Sequence, residues 1–202
     1  MKYLVVGHGR SGTHLVADLI SKITGVENHF DIDSWIMAAP GAVMHSNSLE
    51  TIDEIYSGIA LHTHLVLVRR DNIFATAISE MVARHTGEWY HYTDNEHPQF
   101  TVDPAIFWAK MSGIANYYME ALPSRNVTER FGQVTQILFE DLMSNSHRKQ
   151  SWLAAQLEID NDPNARRGNT RDYRQIVKNY DELADLFDHP EVIQKLWRGS
   201  SG

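Results

Sequence analysis

Five polar side chains lie in or next to a glycine-rich turn close to the start of the chain, in the stretch VVGHGRSGTHLV from Val5 to Val16. The glycines permit a tight turn whose backbone N–H groups point inward at the start of the following helix. An anion fits such a place through hydrogen bonds and through the helix dipole. We therefore predict a phosphate-binding turn. Its candidate binding residues are Gly9, Arg10, Ser11, Gly12, Thr13 and His14.

The turn differs from the loop of nucleotide-hydrolysing proteins, which has the pattern GxxxxGK[ST]. Gly7 and Gly12 have the separation of the two glycines in that pattern, but Thr13 follows Gly12 directly, so the lysine is missing. Arg10 stands at the crown of the loop instead. The sequence thus predicts an anion site that does not use the usual lysine.

Two more cationic segments follow along the chain. VLVRRDNIFATAIS, Val66 to Ser79, places Arg69 and Arg70 at the end of a predicted strand and Ser79 about two turns into a helix. RRGNTRDYRQIV begins with Arg166, Arg167 and Gly168. A single arginine pair is typical of a solvated surface, whereas arginine forks also bind phosphate oxygens in pairs.

The three segments together resemble the sulfotransferases, which use 3′-phosphoadenosine 5′-phosphosulfate (PAPS) as sulfuryl donor. By this resemblance, the residues from Ser11 to His14 would cradle the 5′-phosphate. Arg10 would neutralise the charge that grows on the bridging oxygen, so no metal is expected. The product would be adenosine 3′,5′-bisphosphate. LFEDLMSN, Leu138 to Asn145, also resembles a strand end of that family, with a structural role.

The same resemblance assigns the 3′-phosphate to Arg69 or Arg70, to Ser79, and to the segment of Arg166, Arg167 and Gly168. The arginine and the serine of the family are usually eight residues apart, whereas Arg70 and Ser79 are nine apart. The choice between the two strand-end arginines stays open. In the third segment, arginine replaces the lysine of the family's Arg-Lys-Gly.

Sulfuryl transfer to a hydroxyl or amine requires a base near the acceptor. His45, at the end of a predicted strand in VMHSN, is the first candidate because histidine has an unperturbed pKa of about 6.5. Glu27, in GVENHF, is the second candidate and His29 the third. His62 and His64 share one strand face, but no third metal ligand stands at a suggestive spacing, so we predict no metal site.

Two rival functions remain. A kinase or NTPase on the same fold would need magnesium and an aspartate at a strand end, for which Asp141 is the candidate. A binding module would keep the donor fold without activity and act as a partner protein.

The pattern of elements predicts an α/β protein: a doubly wound parallel sheet of the P-loop nucleotide-binding type, with helices on both faces. We expect one domain over residues 1–202, with 199–202 as a flexible tail. The predicted strands are Tyr3–Val6, Ala42–His45, His64–Arg69 and Val134–Phe139. The predicted helices are Thr13–Ile23, Leu49–Ile59, Ile73–Arg84, Pro104–Leu122, Leu142–Leu157 and Asp172–Phe187. A long aromatic loop is predicted from Thr86 to Val102.

The composition of the chain limits the classes of partner that we expect it to bind. The 202 residues carry a formal net charge of −8 and include no cysteine. An acidic chain is a poor candidate for nucleic-acid binding, and no apolar run approaches the roughly 20 residues that span a bilayer. We therefore expect a cytoplasmic protein that acts on a small-molecule or glycan acceptor, without nucleic acid or membrane. The identity of the acceptor and the oligomeric state stay open.

Overall fold

The computed structural model of the chain describes residues 1–29, 35, 37, 41–46, 61–88, 98–120, 129–145, 149–158 and 173–187. The chain divides into two compact units. The first consists of Met1–Asp71 and Tyr118–Arg167, and the second of Asn72–Tyr117 and Gly168–Gly202. The predicted single domain over 1–202 stays a prediction.

The first unit is built on a parallel sheet, which in the described residues has five strands in the order β2-β3-β1-β4-β5. The strands are β1 (Lys2–Gly7), β2 (Glu27–His29), β3 (Ala42–Ser46), β4 (Thr63–Arg69) and β5 (Gln133–Leu138). Every neighbouring pair is parallel. The order changes direction at β1, as expected for a doubly wound sheet. The predicted α/β class is confirmed.

The central strands are buried on both faces, which explains their continuous apolar sequences. Leu4, Val5 and Val6 of β1 are fully buried, and the run from Leu65 to Val68 in β4 is buried as well. A strand with one face exposed to solvent would instead alternate apolar and polar residues. Because the strands are parallel, their carboxyl ends lie together along one side of this buried sheet.

Helix α1 (Thr13–Thr24) covers one face of the sheet. Val16 and Ile20 of α1 pack with Val5 and Val66 of the sheet in one apolar cluster. The cluster also includes Leu153, which lies in α5 (Lys149–Gln156). Burying one such aliphatic side chain contributes about 1.5–3 kcal/mol. This packing fixes where α1 begins relative to the strand ends.

The second unit contains α2 (Ile73–Thr86), most of α3 (Pro104–Glu120) and α6 (Tyr180–Phe187). Asn72 caps α2, because its side-chain oxygen accepts a hydrogen bond from the amide of Ala75 at 2.8 Å. The ring of Phe74 packs edge-on against Phe107 and Tyr180, with centroids 5.2 and 5.4 Å away. None of the described helices combines the length and apolarity needed to cross a bilayer.

Two of the sequence-based helix predictions are wrong. The structure has α4 (Phe139–Ser144) and α5 in place of one helix over Leu142–Leu157. α4 ends at Asn145, whose side chain and backbone amide both donate to the carbonyl of Asp141 and so replace the next helical turn. The tendency of Ser and Asn to bond their own backbone is the local cause.

The second wrong prediction is the helix over Asp172–Phe187. Its first part is a 3₁₀ turn, Tyr173–Gln175, and α6 begins only at Tyr180. Between them the chain pairs with Phe100, which donates to the carbonyl of Ile176 and accepts from the amide of Lys178. This backbone pairing removes the segment from helical geometry. Leu49–Ile59 lies outside the described residues, as does most of the predicted aromatic loop.

One buried histidine of the first unit links folding to pH. His64, in β4, is 3% exposed and its Nε2 lies 2.8 Å from the hydroxyl of Thr135. Burial lowers the pKa of His64 from 6.5. A group with a lowered pKa in the folded state contributes stability that is complete above pH 6.5 and is lost as the pH falls through the folded value.

We expect His64→Gln to flatten the loss of unfolding free energy on acidification from pH 6.5 to about pH 5. Gln retains a polar group for Thr135 but does not titrate. The measurement is urea unfolding at a series of pH values. The matched control is His62→Gln, an exposed histidine two residues earlier. Equal pH slopes for both variants would show that His64 is not the responsible group.

Candidate functional site

The predicted loop residues and the two strand-end arginines lie at the carboxyl ends of β1 and β4, which are neighbours in the sheet. From β1 the chain goes on to β2, on one side of β1, and from β4 it goes on to β5, on the other side. Open α/β sheets bind ligands in the crevice that such a divergence leaves. The topology alone therefore singles out this edge.

The loop between β1 and α1 is a turn closed by a hydrogen bond from the amide of Ser11 to the carbonyl of His8, at 3.0 Å. Arg10 occupies its third position with a φ of 68°, as in a type II turn, where glycine is the usual residue. Gly12 is also left-handed, with a φ of 97°. Arg10 and Gly12 are thus left-handed, whereas Ser11 between them is not. In such an alternation, successive backbone N–H groups point toward the same side, where they can bind an anion.

No side chain caps the start of α1. Gly12 is the N-cap residue and has no side chain that could accept a hydrogen bond from the first turn, and that turn holds no acidic residue. The first amides of a helix need acceptors from outside the helix. The start of α1 therefore carries the positive end of the helix dipole, and neither its N-cap residue nor its first turn supplies a negative charge to balance it.

The loop passes so close to its neighbours that two of its glycines have no room for a side chain. A Cβ on Gly7 would stand 2.4 Å from the carbonyl oxygen of Val68 and 2.5 Å from the hydroxyl oxygen of Ser11. A Cβ on Gly12 would stand 2.4 Å from the ring of Phe139. The loop is thus fixed by close packing against the ends of β4 and β5.

Arg70 joins the same contact. Its guanidinium donates to the carbonyl oxygen of Arg10 at 3.4 Å, lies 4.8 Å from the ring centre of Phe139 and faces a carboxylate oxygen of Glu140 at 3.8 Å. The other oxygen of Glu140 accepts from the amide of Asp71 at 3.1 Å. The Arg70 side chain is only 18% exposed. A cation is therefore positioned directly beside the crown of the loop.

Arg69 is placed differently. It forms an ion pair with Asp71 at 2.9 Å, its side chain is 41% exposed, and its guanidinium lies 6.0 Å from the ring centre of Tyr118. The pKa of Tyr118 is raised to about 12, mainly by burial, so this phenol is neutral and accepts a hydrogen bond from the amide of Arg70 at 3.3 Å. Of the two strand-end arginines, Arg70 is the one at the loop.

His45 lies on the strand next to β1, level with Val5 and two residues before the end of β1. Its ring meets the ring of His14 edge-on, with centroids 4.9 Å apart. Nδ1 of His14 lies 3.1 Å from a carboxylate oxygen of Asp18, and the other oxygen accepts from Asn28 at 2.9 Å. The predicted base thus stands beside a residue of the predicted phosphate loop.

The charges in this group are set by burial and by pairing. Burial, the largest influence, lowers the pKa of His45, and the nearby His14 lowers it further. Burial would raise the pKa of Asp18, but bonds with His14 and Asn28 and the charge of Lys22 outweigh it, so the pKa is lowered. At neutral pH, Asp18 is a carboxylate and His45 is unprotonated.

The two other candidate bases lie farther back. Glu27 pairs with Ala42 of β3, and Ala42 is level with Lys2 at the start of β1. Glu27 therefore lies roughly 16 Å from Gly7, measured along the strands. It is exposed and faces His29 at 3.7 Å. The structure brings His45 to the loop and does not bring Glu27 there. That these residues form a short edge strand was not predicted from the sequence.

Ser79 lies in the second unit, in the middle of α2. It is 2% exposed, and its hydroxyl oxygen accepts a hydrogen bond from the phenol of Tyr173 at 2.9 Å. These two residues come from two of the three motifs that carry the family resemblance. Arg166, Arg167 and Gly168 lie outside the described residues, so their predicted role stays a prediction.

In the part of the chain that the structure describes, no three His, Asp or Glu side chains are grouped closely enough to hold a metal ion. His64 bonds to Thr135 and stacks on Tyr3, with centroids 5.7 Å apart. Asp141 is an exposed residue in the first turn of α4. Neither residue forms a recognisable metal centre with its described neighbours.

Sequence reasoning did not single out Asp18, Asn28, Tyr118 or a positioning role for Glu140. Only Asp18 had a local signal, because it stands four residues after His14 on one helix face. The others approach the site from distant parts of the chain, and no spacing rule connects them with it.

Comparison with known proteins gives a similarity in fold. No protein-family model matches the chain, and a search of curated proteins gives no match. Among solved structures, the chain is similar to a sulfotransferase from Alicyclobacillus acidocaldarius, with 14% sequence identity and a TM-score of 0.51. The similarity covers 96% of this chain and 93% of that one. At this level of identity it shows a shared fold.

The close approach at Gly12 can be tested by mutation. Gly12→Ala should lower the free energy of unfolding by about 2–4 kcal/mol, because the new Cβ meets the ring of Phe139 in addition to the cost of a left-handed backbone. The matched control is Gly25→Ala at the other end of α1, where φ is 70° and a Cβ meets nothing within 4 Å. Its expected cost is about 1–2 kcal/mol. Equal losses in urea unfolding would contradict the close packing of the loop.

Proposed function

We propose that the protein is a sulfotransferase that moves a sulfuryl group from PAPS to a hydroxyl or amine of a small-molecule or glycan acceptor. One observation carries this proposal: a lysine-free anion loop, a cation and an unprotonated histidine lie together at the divergent edge of a parallel sheet. They are the loop from Gly9 to His14, Arg70 and His45. The shared fold with a sulfotransferase agrees with it.

The loop suits the 5′-phosphosulfate group of the donor. Gly7 and Gly12 keep the backbone so close to its neighbours that side chains are excluded from both positions. The amides at the start of α1 have no side-chain cap, and they are donors of the kind that phosphate oxygens accept. When bound, the donor supplies an activated sulfuryl group whose leaving group is a phosphate.

In the proposed reaction the acceptor oxygen or nitrogen forms a bond to sulfur while the bond from sulfur to the bridging phosphate oxygen breaks. The loop and the cations Arg10 and Arg70 stabilise the negative charge that grows on the departing phosphate. These groups are positioned before the reaction, because the backbone of Arg10 is fixed in the turn and Arg70 is fixed against Phe139. Preorganised charge needs no rearrangement in the transition state.

His45 takes the proton of the acceptor. Burial and the neighbouring His14 keep it unprotonated near neutral pH, which is the form that accepts a proton. It stands on β3 at the carboxyl-end edge, next to the loop. This placement favours His45 over Glu27, which lies toward the other end of the sheet.

The 3′-phosphate remains assigned by resemblance to Arg69 or Arg70, Ser79 and the segment of Arg166, Arg167 and Gly168. Within the second unit, Ser79 contacts Tyr173, five residues after Gly168 in the sequence. That contact supports the proposal that α2 and the third motif bind the same phosphate group. The rival kinase or NTPase has less support, because the loop has no lysine.

Nucleotide selectivity tests the proposal. Adenosine 3′,5′-bisphosphate should raise the melting temperature by several degrees at concentrations about 100-fold above its Kd, since a ligand that binds only the folded state contributes about 2.7 kcal/mol there. AMP and magnesium-ATP should raise it less. Preference for magnesium-ATP would support the kinase, and no response to any nucleotide would support a module without donor binding.

A loop variant should weaken donor binding without distorting the turn. Arg10→Asn removes the guanidinium but keeps a residue that tolerates a positive φ. We expect a rise of about 10-fold in the Kd for adenosine 3′,5′-bisphosphate, because a charge-assisted hydrogen bond contributes about 1.5–3 kcal/mol. The control is Arg130→Ala, which removes an exposed arginine before the start of β5. An unchanged Kd in calorimetry would exclude Arg10 from the site.

His45→Gln should lower kcat by about 10²–10⁴-fold, the usual contribution of a general base. The Kd for adenosine 3′,5′-bisphosphate should stay the same, because the base meets the acceptor. In the native protein kcat/KM should fall only below pH 6.5, where His45 becomes protonated. His62→Gln, which changes an exposed histidine before β4, serves as control. A variant of His45 with native kcat and an unchanged pH profile would show that another group is the base.

A further inference from the structure

Four polar side chains from three elements form a chain that leads to His45. Asn28 of β2 donates to Asp18 at 2.9 Å, Asp18 pairs with Nδ1 of His14 at 3.1 Å, and His14 meets the ring of His45 with centroids 4.9 Å apart at an interplanar angle of 71°. Asp18 and His14 are both on α1. The proposed reaction gives a role to the last member only.

We propose that Asp18 and His14 are positioning residues: Asp18 orients the ring of His14, and His14 in turn holds the ring of His45 in place. This inference depends on the proposed function only for the consequence to catalysis. The arrangement of the four side chains is a property of the first unit itself.

The elements of the sheet dictate the arrangement. His45, Val43 and Val5 share the sheet face that α1 covers, because side chains alternate along a strand and parallel neighbours stand level. His14 and Asp18, four residues apart, share the helix face. The side chains of His45 and His14 therefore meet between β3 and the first turn of α1.

Asp18 fixes the orientation of His14. A histidine that donates Nδ1–H to a carboxylate has one preferred ring orientation, and Asn28 holds that carboxylate from the other side. Asp18 stays ionised because its pKa is lowered despite partial burial. Asp18 and Asn28 thus hold the His14 ring in its edge-on contact with the ring of His45.

The charges around His45 act in opposite directions. Burial, first, and the charge of a protonated His14 oppose a proton on His45, whereas the carboxylate of Asp18 favours one. From the neighbouring strand β2, Asn28 is neutral, and His29 is paired with Glu27. Burial, first, and the repulsion from His14 together outweigh the attraction of Asp18, so the pKa of His45 is lowered.

His14 in this way connects the two halves of the proposed site. Its backbone lies in the first turn of α1, where the phosphate is predicted to bind, and its side chain lies against the base. A shift of that turn would move the base as well.

The decisive variant is His14→Gln, which keeps a hydrogen-bonding group for Asp18 but has no charge at any pH. NMR titration of labelled histidine side chains reports the midpoint of His45, assigned by its loss in His45→Gln. We expect the midpoint to rise in His14→Gln, because the repulsion from His14 is then absent. His29→Gln, a histidine of the adjacent strand, should leave it unchanged. His14→Asn is a second variant in case the first does not fold.

Kinetics provides a second readout. In His14→Gln the acid limb of kcat/KM should move up together with the NMR midpoint of His45. A His45 midpoint that stays the same in both His14 variants overturns the inference. Absence of nucleotide binding in the native protein would instead refute the sulfotransferase proposal and leave the titration result valid.

Discussion

The site depends on the close approach of one loop to the ends of two strands. Between β1 and α1 the backbone passes Val68 and Phe139 with no space for a Cβ at Gly7 or Gly12. That contact fixes the start of α1, and with it the direction of the first helical amides. It also leaves the carbonyl of Arg10 where Arg70 can bond to it. A larger residue at either glycine would displace the loop and separate the amides from the cation.

The sheet transmits this constraint to the base. Strands β3, β1 and β4 are neighbours, so a residue near the end of β3 necessarily lies beside the loop that follows β1. Strand alternation then turns the side chain of His45 toward α1 instead of the opposite face. Burial in that position keeps His45 unprotonated. The hydrophobic packing of α1 on the sheet therefore sets the distance between the loop and His45, the proposed base.

Much of this could be predicted from the sequence, and the failures have physical causes. The strands β1, β3, β4 and β5 follow from continuous apolar runs, and α1 follows from its period and the glycines around it. The three polar residues of β2 carry no such signal, since an edge strand of that length owes its geometry to its neighbour. The predicted helix over Leu142–Leu157 is interrupted where the side chain of Asn145 donates to the carbonyl of Asp141. The predicted helix over Asp172–Phe187 is interrupted where the backbone pairs with Phe100. Those are tertiary or side-chain effects that a hydrophobic pattern does not contain.

The candidate site residues also divide into those that the sequence predicts and those that only the structure identifies. Arg10, Gly12 and His45 could be found because each follows a strand or a glycine at a recognisable spacing. Asp18, Asn28, Tyr118 and Glu140 act through contacts made by the fold, and they determine which arginine lies at the loop and which residue is the favoured base. The sequence identified the groups that carry charge, while the structure identified the groups that hold them.

The most direct test of the account is a crystal structure of the protein soaked with adenosine 3′,5′-bisphosphate. The account predicts that the 5′-phosphate accepts hydrogen bonds from the amides of the loop from Ser11 to His14, with the guanidinium of Arg10 or Arg70 beside it. A nucleotide bound elsewhere, or a saturating soak that leaves this loop without phosphate, would contradict it.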